Sequence, residues 1–361
     1  MRILLLAAAA AVLPAGAVLA QSAAPAVPAA APAATPFDPA VGREAVAALA
    51  TRLEEDFVFP DKGRAYAAML RANLAAGKYD GSASAEAFAK AVSADLQAVS
   101  PDGHLRVHVV PPEARGGPEG ERQGGGGPGM PGPDTNTITG SGWLAEGVAY
   151  IGFDAFFGTE ATMAALRSFI AEHRGAKTLI IDIRGHRGGG LAEMDLLFPE
   201  IYAEPTTLVA MDTRASVAAR QGSPVEDARV RRVAGPEGMV RDEHYVEPAK
   251  DGAFQRAQVF VLTSKRSASA AEHLALALKG TARATLIGET TYGAGNFGGM
   301  VPLDKGFSYA AFVPNGRTLD PRTGVGWEGT GIAPDVAVPA SEALDEALRR
   351  AGVDPATARK P

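Results

Sequence analysis

Residues 259–278, VFVLTSKRSASAAEHLALAL, contain the pattern on which the fold prediction depends. The first five residues are apolar or β-branched and predict a buried strand, whereas the alanine- and leucine-rich end predicts a helix. Between them, Ser269 precedes Glu272 by three positions, the spacing of a capping box at a helix start. Such a serine is far more often a helix cap than a nucleophile. A catalytic interpretation therefore requires a base, an acid and an oxyanion site elsewhere in the chain.

A second glycine-rich turn, IIDIRGHRGGG over 180–190, also follows a buried strand and precedes a helical pattern. Gly188 and Gly189 have no side chains that would keep a substrate carbonyl away from their N–H groups, so they are candidates for an oxyanion hole. A tight strand-to-helix connection is the alternative interpretation. The spacing differs from G-x-G-x-x-G, which disfavours dinucleotide binding. The repeated order of strand, turn and helix predicts an α/β layer with a largely parallel sheet.

The remaining chain divides by composition and periodicity. Apolar residues at helical spacing between Val41 and Val99 predict three helices, and HLRVHVVPP alternates like a strand. The polar stretch 215–248 is expected to be an excursion or cap. We divide the chain into a signal peptide (1–20), an Ala/Pro-rich tether (21–36), an N-terminal helical module (37–112), a Gly/Pro-rich flexible loop (113–137) and an α/β core (138–355).

Composition limits the classes of protein that the chain can form. With 361 residues, 46% of them hydrophobic, it is long enough to bury a full core. It has no cysteine, which excludes disulfides and a thiol nucleophile, and its net charge of -6 argues against nucleic acid as a partner.

The N-terminus predicts export. One basic residue, a short apolar run and small residues at Val18 and Ala20 indicate a signal peptide cut after Ala20, and hence a periplasmic or secreted protein. Pro14 and Gly16 interrupt the apolar run, and no later segment approaches the roughly 20 apolar residues of a membrane span. No integral membrane segment is therefore expected after cleavage.

Six histidines could serve as the base: His104, His108, His173, His186, His244 and His273. His104, where SPDGHLRV passes from a turn into a strand, is the most interesting, although a lone histidine is more often structural than catalytic. On a strand, His104 and His108 would lie about 13 Å apart, too far to chelate one metal ion. Glu328, flanked by Trp327 and glycines, is expected to hold its carboxylate in a partly apolar turn, from which it could orient a histidine.

Five motifs in order resemble the C-terminal processing (tail-specific) serine peptidase family, which includes the tricorn protease core and interphotoreceptor retinoid-binding protein-like members. They are SPDGHLRV, IIDIRGHRGGG, SASAAE, LIGETTYGAGN and WEGTGIAPDV. One such motif is weak evidence, but five in order are specific, and they cover most of the mature chain. The resemblance implies an α/β fold with a ClpP/crotonase-like core and an N-terminal three-helix module.

The resemblance also implies roles for residues of both glycine- and serine-containing turns. The central serine of the family's SASAxE motif falls on Ser269, with Ser267 as the fallback nucleophile. The oxyanion hole falls on Gly188 or Gly189 together with the N–H of Ala270. The helix cap and the nucleophile would then be one residue.

The choice of base depends on the branch of the family. In the processing-protease branch a lysine is the base, but the position 25 residues after Ser269 is Ala294, so a serine–lysine dyad is not expected. In the tricorn branch a histidine is the base and a glutamate supports it, which matches His104 and Glu328. The tricorn pattern has a serine immediately before the histidine, where this chain has Gly103.

Many processing proteases carry a PDZ domain before the core, where this chain has only the Gly/Pro-rich loop. A PDZ domain needs about 80 to 100 residues, so none is expected here.

These observations predict an exported serine peptidase that acts on peptides or proteins through a Ser-His-Glu arrangement and requires no metal or organic cofactor. Two alternatives remain. A non-catalytic protein of this fold could bind hydrophobic ligands of the retinoid or lipid type, and an esterase for small substrates would use the same site. Retention of all three matching residues, Ser269, His104 and Glu328, favours an enzyme.

Overall fold

The computed structural model of the protein describes residues 35–115, 131–222 and 229–360. The predicted signal peptide, nearly all of the Ala/Pro-rich tether and most of the Gly/Pro-rich loop lie outside these described residues. Within these ranges, no helix is both long enough and apolar enough to cross a membrane.

Three helices begin the described chain, as the periodicity predicts. They are α1 (Pro39–Asp56), α2 (Pro60–Ala75) and α3 (Ala85–Val99). The first two begin with proline, which suits the first turn because that turn has no intrahelical use for the missing N–H. Ser84 caps α3, with its side chain accepting the N–H of Ala87 at 3.2 Å. The three apolar faces form one hydrophobic cluster.

The remaining strands and α-helices of the described residues are mixed along the chain. In chain order they are β1 (Val107–Val109), β2 (Ile138–Ala145), β3 (Val148–Phe153), α4 (Glu160–Glu172), β4 (Thr178–Asp182), α5 (Ala192–Ile201), β5 (Thr206–Arg214), α6 (Ala215–Gln221), β6 (Val230–Val233), β7 (Met239–Val246), β8 (Gln258–Thr263), α7 (Ala270–Gly280), β9 (Thr285–Gly288), β10 (Asn296–Pro302), β11 (Tyr309–Leu319), β12 (Val336–Ala337) and α8 (Ala343–Arg350).

The core sheet has the strand order β12-β9-β8-β4-β3-β2. Its strands from β12 to β3 run parallel, and only the edge strand β2 is antiparallel to its neighbour. Residues of α4, α5 and α7 form a hydrophobic cluster with this sheet, and residues of α8 form a separate cluster with it. The predicted α/β fold with a largely parallel sheet and an N-terminal helical region is confirmed.

A second, antiparallel sheet is absent from the sequence prediction. Its order is β1-β11-β5-β7-β6, and β10 also pairs with β11. The polar stretch expected to be an excursion supplies α6, β6 and β7, so most of its described part belongs to regular structure. Charged residues interrupt the alternation of apolar residues in the strands of this sheet, and some of these charges pair with each other across neighbouring strands. Asp212, fully buried, accepts from Arg241 Nε at 2.6 Å and from Arg317 Nε at 3.1 Å.

The core sheet determines where the predicted motifs meet. Strands β4, β8 and β9 are adjacent and parallel, so their carboxyl ends lie at the same edge. The glycine turn follows β4, the serine turn follows β8, and ETTYGAGN follows β9. Ligands of open α/β sheets bind at this edge, so a functional site is expected there.

The crossing of α1 and α2 provides a test of the packing. A Cβ on Gly63 would overlap the carbonyl oxygen of Leu53 and lie 3.2 Å from Phe57 Cβ. We expect Gly63→Ala to lower the free energy of unfolding by more than about 1 kcal/mol, because overpacking outweighs the helix propensity of alanine. Gly81→Ala, with no atom within 4 Å of the new Cβ, is the control. Urea unfolding that gives equal midpoints for the two variants would contradict this packing.

Candidate active site

Ser269 lies at the junction of the turn after β8 and the first turn of α7. Its backbone has φ 59° and ψ −115°, a region that L-residues rarely adopt, whereas N-cap residues usually have extended backbones. The capping box predicted from the sequence is present, with Glu272 Oε2 accepting the N–H of Ser269 at 2.9 Å. Such backbone strain occurs preferentially at functional sites and resembles the strained turn of a nucleophile elbow. One residue is therefore both a helix cap and a candidate nucleophile.

Ser267, the fallback nucleophile, has a different environment. It is fully buried, donates its hydroxyl to the carbonyl of Ile183 at 2.8 Å, and accepts the N–H of Ser264 at 3.0 Å. Its hydroxyl therefore joins the serine turn to the turn after β4.

Glu272 joins the serine turn to the loop after β9. Its side chain is fully buried, and four donors surround the carboxylate. Oε2 accepts the N–H of Ser269 at 2.9 Å and that of Ala294 at 2.8 Å. Oε1 accepts the N–H of Gly293 and the hydroxyl of Thr291, both at 2.6 Å. A buried carboxylate is tolerated only with such a set of donors, so the two loops are fixed to each other.

The glycine turn after β4 contacts Ser269 directly. A Cβ on Gly188 would lie 2.9 Å from Ser269 Cβ and 3.3 Å from its Oγ, so only glycine leaves room there. Gly188 and Gly189 have φ of 115° and 133°, which also favours glycine. The N–H of Gly188 donates to His186 Nδ1 at 3.1 Å, and its carbonyl accepts the N–H of Phe156 at 3.0 Å.

Two backbone N–H groups near Ser269 are free. Those of Gly189 and Ala270 have no acceptor in the part of the chain that the structure describes. Because a trans peptide directs its N–H opposite to its C=O, the N–H of Gly189 points away from Phe156, to which the Gly188 carbonyl is bound. Ala270 lies in the first turn of α7, where unpaired N–H groups and the helix dipole favour negative charge. Of the two glycines predicted for an oxyanion hole, Gly189 therefore has the free donor.

His104 lies at the end of the turn that precedes β1. Asp102 Oδ1 accepts the N–H of His104 at 2.9 Å, and the ring stacks on Phe312 with centroids 4.8 Å apart. Nδ1 is buried without a partner, and the ring makes no hydrogen bond to Ser269 or Glu328 within the described residues. Burial lowers the pKa of His104 below its usual value; the Asp102 carboxylate raises it and Arg106 lowers it. The ring is thus favoured in its neutral, basic form.

Glu328 holds the segment before His104 through the backbone. Its Oε1 accepts the N–H of Gly103 at 2.6 Å, and its Oε2 accepts those of Gly295 at 2.7 Å and Asn296 at 2.8 Å. Burial raises the pKa of Glu328, and Asp102 raises it further, whereas the three backbone donors lower it. The carboxylate therefore connects the turn that carries His104 to the loop after β9.

The two positions that depart from the family pattern are in contact. A Cβ on Gly103 would lie 2.9 Å from Ala294 Cβ, 3.0 Å from its Cα and 3.1 Å from the Gly293 carbonyl oxygen. Ala294 is buried and is also bound to Glu272 through its N–H. The candidate residues Ser269, His104 and Glu328 thus belong to one continuous network of loops.

The other buried histidines make contacts elsewhere. His173 Nδ1 lies 2.8 Å from the Phe169 carbonyl oxygen. His244 lies between Asp195, 2.9 Å from its Nε2, and His273, 2.9 Å from its Nδ1. None of these ring contacts involves the serine turn, the glycine turn, the loop after β9 or the turn of His104, although the backbone N–H of His273 donates to the Ser269 carbonyl at 3.0 Å. No group of three or more acidic or histidine side chains within the described ranges could hold a metal ion.

Sequence reasoning missed two residues of this network. Glu272 was predicted only as a capping residue, because its hydrogen bonds to the loop after β9 cannot be inferred from the spacing of neighbouring residues in the sequence. His186 was considered only as a base. The N–H that its ring accepts is that of Gly188, only two residues later, so this contact is local and could have been considered from the sequence.

Comparisons with known proteins agree with this architecture. The sequence pattern of peptidase family S41 matches residues 147–338, and that of the N-terminal domain of peptidase S41 in eukaryotic IRBP matches residues 40–137. The chain belongs to peptidase family S41. The family predicted from the five motifs is confirmed, and the protein is a serine-type peptidase that acts on peptides or proteins.

Solved structures show the same fold at low sequence identity. A photosystem II D1 C-terminal processing protease is 16% identical, with a TM-score of 0.52 over 87% of this chain and 98% of that one. A lipoprotein from Streptococcus agalactiae is 15% identical, with a TM-score of 0.52 over 87% of this chain and 97% of that one. At these identities the likeness is evidence for the fold alone.

The Glu272 carboxylate gives a direct test of how the loops are held. We expect Glu272→Ala to lower the free energy of unfolding by about 3 kcal/mol or more, because three backbone N–H groups and one hydroxyl lose their buried acceptor. Glu346→Ala, which removes only ion pairs with Arg349 and Arg350 on the surface of α8, should leave the unfolding midpoint nearly unchanged. Urea unfolding measures both. Equal stabilities would mean that Glu272 does not hold the loops.

Proposed function

We propose that the protein is an exported serine peptidase in which Ser269 is the nucleophile and His104 the general base. In this proposal the N–H groups of Gly189 and Ala270 form the oxyanion hole, and Glu328 positions His104. The observation that carries the proposal is the strained backbone of Ser269 beside two unpaired N–H groups at the carboxyl edge of the core sheet.

The chemistry follows from these groups. Ser269 Oγ bonds to the carbonyl carbon of the scissile peptide while the neutral ring of His104 takes the hydroxyl proton. The carbonyl oxygen becomes an oxyanion, and the N–H groups of Gly189 and Ala270 donate to it. Collapse breaks the C–N bond, and His104 returns the proton to the leaving amine. Water, deprotonated by the same ring, then attacks the acyl-enzyme and releases the second product and Ser269.

The environment of His104 supports its role. Its lowered pKa favours the neutral ring, and its unpartnered Nδ1 can accept a new hydrogen bond. Hydrogen bonds of catalytic groups are often long in unliganded structures and shorten when substrate binds. Glu328 supports the ring through the backbone of Gly103, the residue immediately before His104.

The export part of the proposal depends on the N-terminal sequence. The charged start, the short apolar run and the small residues before Gln21 match a secretory signal. A mature chain that begins at Gln21 would be released to the periplasm or the medium.

Labelling with a fluorophosphonate tests the nucleophile. We expect an adduct on Ser269 that is absent from Ser269→Ala and forms about 10²- to 10⁴-fold more slowly in His104→Ala, because the base is lost. Ser267→Ala should still be labelled at Ser269, since the hydroxyl of Ser267 is bound to Ile183. Mass spectrometry locates the adduct and also gives the N-terminal residue of the exported chain.

The negative outcome of this experiment has a clear meaning. If the folded protein is not labelled, Ser269 is only a helix cap, and a co-purifying hydrophobic ligand would then favour a binding protein. If labelling occurs but esters are hydrolysed and peptides are not, the site is that of an esterase.

The pH dependence of kcat/KM tests the base. Because the pKa of His104 lies below 6.5, activity should persist to a pH below that value and fall when the ring is protonated. Asp102→Asn should move the acid limb to lower pH, since the carboxylate favours the protonated ring, and Arg106→Gln should move it to higher pH. Arg106 is exposed, so salt should weaken its effect. Movement of both variants in the same direction would contradict the assignment.

A further inference from the structure

The orientation of one peptide in the glycine turn depends on its neighbours. Gly188 and Gly189 have no side chains, and their φ values of 115° and 133° lie where glycine moves with little steric hindrance. Nothing within this segment therefore prevents rotation of the peptide that joins them. That peptide carries the free N–H of Gly189, so contacts from outside the segment must fix its direction.

One hydrogen bond holds this peptide directly, and two others hold the peptides on either side of it. Two come from Phe156, whose N–H donates to the Gly188 carbonyl at 3.0 Å and whose carbonyl accepts the N–H of Gly190 at 2.6 Å. The third runs from the N–H of Gly188 to His186 Nδ1 at 3.1 Å. Of these three bonds, only that of His186 is made by a side chain. It holds the N–H of Gly188, the glycine that contacts Ser269.

His186 also binds the serine turn. Its carbonyl accepts the N–H of Ala268, the residue before Ser269, at 3.1 Å. Its ring is fully buried and packs edge-to-face on Phe156 with centroids 4.1 Å apart. One residue thus contacts the glycine turn through its ring and the serine turn through its backbone, and its ring cannot move away without disturbing Phe156.

The protonation state of the ring suits this contact. An imidazole nitrogen accepts an N–H only when it carries no proton, so the proton of the neutral ring must lie on Nε2. Burial lowers the pKa of His186 to about 3, the Asp154 carboxylate raises it, and Arg187 lowers it. The acceptor at Nδ1 is therefore present across neutral and mildly acidic pH.

We propose that His186 is a positioning residue for the oxyanion hole: its Nδ1 holds the peptide before Gly188, while Phe156 holds the peptide after it, and together they keep the Gly189 N–H directed toward the reacting carbonyl. The residue touches no reacting atom and acts through the glycine turn. The inference rests on the proposed function, because it assumes that Ser269 forms a tetrahedral intermediate beside this turn.

Three substitutions at this position separate the acceptor from the bulk of the ring. In His186→Asn, the amide oxygen can lie at the distance of Nδ1 from the backbone and accept the same N–H. In His186→Gln, the amide is one bond further out and withdraws the acceptor from Gly188, and His186→Leu removes it. His173→Leu is the matched control, because His173 is also buried with an unpartnered ring nitrogen but contacts Trp143 and Phe169 instead.

The full chain is compared in two assays, the rate of fluorophosphonate labelling at Ser269 and the hydrolysis of fluorescein-labelled casein. We expect His186→Leu and His186→Gln to lower the labelling rate and kcat by about 10²- to 10³-fold, as for the loss of one oxyanion donor, with KM within about twofold. His186→Asn should stay within about tenfold of the unsubstituted protein, and His173→Leu within about twofold. A role limited to stability would lower the melting temperature without separating Asn from Gln.

The outcomes distinguish this inference from the proposed function. If the unsubstituted protein is labelled but a folded His186→Leu reacts equally fast, His186 does not position the hole. If Asn is as slow as Gln, or if the whole loss lies in KM, the inference is also wrong. If His186→Leu does not fold, the Asn and Gln variants decide the question. If the unsubstituted protein is not labelled at all, the proposed function fails and this inference fails with it.

Discussion

The arrangement of the site depends on one buried charge, the carboxylate of Glu272. A charged group without solvent is stable only when donors surround it, and here all four donors come from the serine turn and the loop after β9. The carboxylate therefore cannot be buried until both segments are in place. The direction of the first turn of α7, and with it the placement of the Ser269 backbone, follows from this requirement.

The loop after β9 carries no candidate catalytic group, yet it connects those that do. Glu272 binds it to the turn of Ser269, the candidate nucleophile, and Glu328 binds it to the turn of His104. Its Ala294 lies against Gly103, so a larger residue at either position would separate the two turns. Gly103 and Ala294 therefore fit each other sterically, with a small residue on one side and no side chain on the other.

Sequence analysis predicted the parts of the fold that local patterns encode. The three N-terminal helices, the parallel strands and the turns of Gly189 and Ser269 follow from periodicity, caps and glycines over a few residues. The second sheet was missed because its strands contain charged residues that pair across strands, such as Asp212 with Arg241, and in the sequence such residues resemble those of an exposed loop. The contact of Glu328 with Gly103 spans 225 residues and could not be predicted from spacing. The family resemblance pointed to Glu328 and His104, but only the structure shows that the Glu328 carboxylate binds the backbone of the turn that carries His104.

The dependence of the serine turn on distant segments has a consequence for the life of the enzyme before it is folded. In an unfolded chain Ser269 has no imposed backbone strain, no Glu272 carboxylate on its N–H, and no glycine turn beside it, so it is an ordinary serine with ordinary reactivity. The geometry of the serine turn therefore exists only when this turn, the glycine turn and the loop after β9 have come together. A nascent or partly folded chain lacks this arrangement, so a peptidase built in this way acquires its site only as the loops around the serine turn assemble.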